Sequence, residues 1–189
     1  YNLFSPMIDG KVDATCIPDE EHLWVRVAPI VVDRYLALDD TNQPLLQREN
    51  GRTYDSNTTL GHLPAANIYS DWGKVTSNLL SWTYSPDFDG YFGYAGALAN
   101  MKQNLKVLKE SGVKYAFTQG VFNEKIHEDQ YLEAYIMSKL MWDMNADVTE
   151  LRNEYLRLYY GESAYESVKR YYDNFDAKYA ERFGTTGTG

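Results

Sequence analysis

The sequence predicts an α/β chain: the C-terminal part of a (β/α)8 TIM barrel followed by a helical C-terminal extension. The first observation is a pair of short apolar and aromatic runs, Leu-Leu-Ser-Trp-Thr-Tyr at 79–84 and Val-Lys-Tyr-Ala-Phe-Thr-Gln at 113–119, of the kind parallel strands require. The second is a helix pattern at about 97–110 that separates them. The third is asymmetry: the strand-to-helix segment 85–94 is long and aromatic, whereas Ser111-Gly112 suffices for the way back. In barrels and doubly wound sheets, ligands sit on the face built by strand-to-helix loops.

An earlier strand is read at 23–32, weakened by Pro29, which cannot donate to a sheet ladder. A polar stretch at 37–70 is read as a mobile cover over the ligand face, because structureless segments of that length are uncommon in compact domains. A short helix at about 71–78 leads into the Trp82 strand. In the C-terminal third, Leu132, Ile136, Leu140 and Met141 keep helix spacing. Asp147 with Glu150, and Ser163 with Glu166, form capping-box patterns for two further helices. The first of the two carries Leu151, Tyr155 and Leu158 on one side and stops at Gly161, and the last helix carries Val168, Tyr171, Phe175 and Tyr179. The domain reading is 1–145 for the barrel portion, 146–183 for a helical extension packed on it, and 184–189 for a disordered tail. A closed barrel takes about 250 residues, and the chain begins at Tyr1, so the remainder of a longer polypeptide is expected as a partner.

Composition excludes several functions. The 189 residues carry a net charge of −9, which is unsuited to nucleic acid or an anionic membrane surface. No apolar run approaches the roughly 20 residues of a membrane-spanning helix, so no membrane insertion is expected. Cys16 is the single cysteine, which excludes an internal disulfide. His22, His62 and His127 lack metal spacing, and there is no Gly-rich phosphate loop, so no metal and no cofactor is expected. Aromatic residues make up 15% of the chain, 17 of them Tyr, a composition suited to polar ligands with apolar faces, sugars among them.

The run 140–147, Leu-Met-Trp-Asp-Met-Asn-Ala-Asp, with Leu151-Arg152-Asn153-Glu154-Tyr155-Leu156 and Tyr159-Tyr160-Gly161, resembles a bacterial family in the glycoside-hydrolase TIM-barrel clan, beside the α-glucuronidases and β-hexosaminidases. Met144 stands where that family usually has Pro. The likeness extends over 79–172 through the Trp-x-Tyr strand, the Gly-Val turn and the strand ending in Gln-Gly. It implies that 23–32, 79–84 and 114–119 are the sixth to eighth barrel strands, and that a catalytic carboxylate lies before Tyr1. It also implies a glycoside hydrolase acting on a polysaccharide or glycan, with a non-catalytic carbohydrate-binding protein or a structural module as the alternatives.

Glycoside hydrolysis uses two carboxyl groups flanking the scissile bond. Asp33 and Asp87, each just past a strand, are the catalytic candidates. An ion pair between Asp33 and Arg34 is the competing reading, and Glu124 is read as a helix-start residue. Trp82 and Tyr84 alternate with Ser81 and Thr83 and so share one strand face. With Gln119, Arg34 and Tyr91 they form the expected carbohydrate contacts.

Overall fold

The computed structural model describes residues 7–8, 11–12, 21–30, 32–43, 48–49, 52–53, 65–85, 97–121 and 129–183. Asp87, Tyr91, Glu124, His127, Cys16, the tail 184–189 and much of the expected cover lie outside them. The chain divides into two compact units, Tyr1–Tyr84 with Lys106–Gln119, and Ser85–Leu105 with Gly120–Gly189.

The first unit is built on three parallel strands, β3 (Val25–Val27), β6 (Leu79–Tyr84) and β7 (Val113–Gln119), in the order β3-β6-β7. Two antiparallel hairpins pair only within themselves: β1 (Met7–Ile8) with β2 (Lys11–Val12), and β4 (Arg48–Glu49) with β5 (Arg52–Thr53). The expected barrel is therefore not found. Among the described residues the parallel sheet has three strands, and no further strand pairs with β3 or β7. Strand–helix alternation is common to barrels and open sheets, so the sequence pattern alone does not distinguish them.

Strand β3 is three residues long rather than ten. Pro29 is buried and follows it closely, and the Ile30 amide closes back on the Ala28 carbonyl at 3.0 Å. The chain then turns repeatedly over 33–43, held by one side chain. The Gln43 amide nitrogen donates to the carbonyls of Asp33, Leu36 and Ala37, each at 2.9 Å, and its oxygen accepts from the Asp33 N–H at 3.0 Å. At the start of the expected cover the chain is a run of turns with Gln43 buried at its centre.

Helix α1 (Ala65–Val75) begins six residues before the position expected for it. It buries Ala65, Ile68 and Tyr69 at helical spacing, together with Asp71. The Tyr69 hydroxyl bonds the Ser81 hydroxyl at 2.7 Å and the Val27 carbonyl at 3.3 Å, which fixes the helix on the Val27–Leu79–Ser81 side of the sheet. Gly73 lets α1 approach the turn after α2 (Ala97–Glu110); a Cβ there would run into the Ser111 carbonyl. That turn uses Gly112 at φ +81, a left-handed conformation suited to glycine, and its N–H returns to the Lys109 carbonyl at 3.1 Å. Helix α2 buries Leu98, Met101, Leu105 and Leu108 in the i, i+3, i+4 pattern that predicted it.

The second unit contains α3 (Asp129–Trp142), α4 (Val148–Tyr160) and α5 (Glu162–Phe183). Leu132, Ile136 and Leu140 form a fully buried seam on α3, and α4 contributes Leu151, Tyr155 and Leu156, whereas the expected Met141 and Leu158 are exposed. Helix α5 buries Tyr165, Tyr172 and Tyr179 at seven-residue spacing and leaves Tyr171 exposed, so its packing face is rotated from the expected one. Arg152, buried on α4, reaches Asp173 at 2.6 Å and also Asp176 on α5. The Asp147 carboxylate caps α4 by accepting the Glu150 N–H at 2.9 Å. Ser163 is not a cap: α5 starts at Glu162, because the Gly161 carbonyl already accepts the Ala164 and Tyr165 amides.

Two substitutions test this architecture. Gly73→Ala should cost about 2 kcal/mol, since backbone rather than a flexible side chain must yield. Asp147→Ala should cost about 1 kcal/mol by orphaning a helix N–H. Urea denaturation of each variant measures both, and an unchanged midpoint for either removes its contact from the account.

Candidate functional site

The pairing register decides which side chains share a sheet face. Leu80 lies opposite Tyr115, Trp82 opposite Phe117 and Tyr84 opposite Gln119, with Arg26 beside Leu80 on the other edge. One face therefore carries Trp24, Arg26, Trp82, Tyr84, Tyr115, Phe117 and Gln119. The opposite face carries Val27, Leu79 and Ser81 and is the buried one.

The aromatic face is open among the described residues of its unit: Tyr115 is 62% exposed, Phe117 52% and Trp24 43%. Its centre is ordered. The Trp82 indole N–H donates to the Gln119 side-chain oxygen at 3.1 Å. The Arg26 guanidinium lies 4.8 Å from the indole centroid on one side, and Phe117 meets it edge-on at 4.7 Å from the other. Trp24 and Tyr115 extend the row at 5.3 Å. A flat apolar strip with an amide and a guanidinium in it can hold a ligand that shows C–H faces and hydroxyl edges together.

The expected contacts Trp82, Tyr84 and Gln119 fall together on this face. Asp33 lies in the turns that follow β3; its carboxylate accepts the Tyr35 N–H at 2.8 Å, a turn-forming role, with Arg34 half-buried beside it. Arg26, Phe117 and Trp24 were missed, although the strand alternation that picked out Trp82 would have found them once the strands were paired.

The second unit holds a separate group of polar side chains. Glu133 is 5% exposed, and burial pushes its carboxyl up to about 7; a hydrogen bond from Ser85 opposes that shift and the Asp129 charge one turn earlier adds to it. Its Oε2 has no hydrogen-bond partner among the described residues. Asp129 accepts the Tyr172 hydroxyl at 2.8 Å. Burial first, then Asp129, pushes the Tyr172 phenol far above its ordinary range, and Tyr160 is hydrogen-bonded to it as well. Tyr155 rises to about 12, chiefly by burial, with Tyr159 and Tyr160 nearby. The sequence signal for Glu133 was a carboxylate at i−3 from Ile136, inside the apolar seam. Among the described residues, no three His, Cys, Asp or Glu side chains are grouped to hold a metal ion, and no helix is long and apolar enough to cross a membrane.

Residues 23–173 match a domain of unknown function, DUF4838, and the chain belongs to this family. No curated protein and no solved structure matches it.

The Glu133 geometry makes a pH prediction. Its carboxyl stands above the ordinary 4.5 in the folded chain, so folding favours the protonated form. Its contribution to stability is full below about 4.5 and is lost as pH rises to about 7, a swing on the order of 3 kcal/mol. Glu133→Gln, which imitates the neutral acid, should lack that slope and be the more stable protein at pH 8. Denaturation midpoints across this range, parallel for variant and parent, would contradict it.

Proposed function

We propose that this chain is part of a glycoside hydrolase acting on a polysaccharide or glycan, with the open aromatic face of its parallel sheet as the sugar platform. The observation that carries the reading is the Trp82 indole, fixed by Gln119, Arg26 and Phe117 within an exposed aromatic row. Sugar rings present C–H faces that rest on aromatic rings, and their hydroxyls reach polar groups at the rim, here Arg26 and Gln119. The likeness of 79–172 to a family in the glycoside-hydrolase clan supports the same class.

Hydrolysis in this reading uses carboxyl chemistry. One acid protonates the glycosidic oxygen while a carboxylate on the other side activates water or attacks the sugar carbon. Asp33 and Asp87 are the candidates within this chain, the second outside the described residues. A non-catalytic carbohydrate-binding protein is the second reading, and one observation favours it: the Asp33 carboxylate serves its own turn through Tyr35.

Trp82→Ala should weaken oligosaccharide binding or turnover by about tenfold, the scale of lost aromatic contact, while costing less than the 3–5 kcal/mol or so of a buried core truncation. Phe117→Ala, at an exposed position, should do the same with little loss of stability. Melting and glycan affinity are measured on the same preparations. Normal affinity per folded molecule in both variants means that the aromatic row is not a sugar platform. Asp33→Asn separates enzyme from binder: loss of turnover with retained affinity and stability supports the hydrolase, and unchanged turnover removes Asp33 from the chemistry.

A further inference from the structure

Arg26 stands in the middle of β3, on the same sheet face as Trp82, and its side chain is exposed. Its guanidinium rests 4.8 Å from the Trp82 indole centroid, and among the described residues it has no hydrogen bond and no ion pair. Arg152 and Arg157, by contrast, each reach a carboxylate. Contact with an aromatic ring favours the positive charge but gives the five N–H donors no acceptor. Water serves those donors, and a ligand with matching acceptors can replace it.

The face around Arg26 lacks acids as well. The chain has 27 acidic residues against 18 basic ones, yet the pairing register places no Asp or Glu among the described residues of this face. A net charge of −9 repels an anion from afar, but salt screens that repulsion beyond about 8 Å at physiological strength. Within that distance the local cation decides. The cation is also set in place by the indole, so less side-chain freedom is lost when a ligand binds.

The ligand that fits is one whose acceptors come as a planar pair beside an apolar ring face. A carboxylate meets the guanidinium fork with two parallel hydrogen bonds, each strengthened by charge, whereas a sugar hydroxyl meets it with one neutral oxygen. A uronic acid carries its carboxylate at the edge of the sugar ring and keeps the C–H face free for aromatic rings. We propose that Arg26 is the specificity-determining residue of the aromatic face, and that the glycans bound there carry carboxylates. This rests on the carbohydrate reading of that face and adds the substrate class to it.

The test uses tetragalacturonate, its methyl ester and cellotetraose as probes, with affinity read by calorimetry and position by NMR shifts of the Phe117 ring. The acid and its ester share one backbone and differ in charge. The acid is expected to bind at least about tenfold tighter than the ester. Arg26→Gln should close most of that gap, weakening the acid by about tenfold and the ester far less. Arg26→Lys keeps the charge without the fork, and should fall between parent and Arg26→Gln. Lys114 is the charge control: its Nζ lies 5.8 Å from the Trp24 ring and donates to the Asn78 side-chain oxygen at 3.5 Å. Lys114→Gln removes the same unit of charge and should keep the gap. An equal loss in both neutral variants overturns the assignment to Arg26. Acid and ester bound equally, or cellotetraose shifting Phe117 while the acid does not, overturns the carboxylate preference and leaves the platform standing. Silence of Phe117 toward all three probes removes the platform and this inference with it. The comparison of acid with ester needs only the parent chain, so it decides the preference even where a variant fails to fold.

Discussion

One buried hydrogen bond decides the layout of the first unit: the Tyr69 hydroxyl against the Ser81 hydroxyl, 2.7 Å apart and closed off from solvent. Tyr69 is completely buried, and leaving its hydroxyl or that of Ser81 unpaired there would carry the desolvation cost of a polar group. The pairing holds α1 on one face of the sheet. Ser81 points to that face, so by strand alternation Trp82 and Tyr84 must point to the other. The aromatic side chains thus lie on the face of the sheet away from α1. Gly73 serves the same arrangement by letting α1 close onto the turn before β7.

The second unit is organised around buried polar groups. Arg152 brings Asp173 and Asp176 of α5 to α4, and breaking such a pair would leave a buried charge without its partner. Arg152 also holds the Asp173 carboxyl low: burial pulls it upward, but Lys169 and Arg152 together outweigh that. Asp176 goes the other way, raised mainly by burial despite the same arginine. The Asp129–Tyr172 bond and the Glu133–Ser85 contact add further polar ties beside an apolar seam. Each restricts which rotations of the helices are tolerated, because a slip would strand a buried oxygen or nitrogen.

Much of the local structure was written in the chain itself. Strands β6 and β7 and helix α2 follow from apolar runs and helical spacing within 79–119, the α4 cap follows from Asp147 and Glu150, and the shared face of Trp82 and Tyr84 follows from alternation. These are effects among residues close in sequence, where steric and hydrogen-bonding preferences act without distant partners. Tertiary contacts settled the rest. Buried Pro29 cuts β3 short, the Tyr69–Ser81 bond extends α1 toward Ala65, and Gly161 makes a Ser163 cap unnecessary. Barrel or open sheet depends on what pairs with the outer strands, and strand–helix alternation is silent on that. Glu133 and Arg152 look like ordinary surface charges in the sequence; only their burial among distant helices makes them special. Local periodicity determined the elements and their faces, whereas long-range burial and pairing energies, which no short window contains, decided which faces close and which stay open.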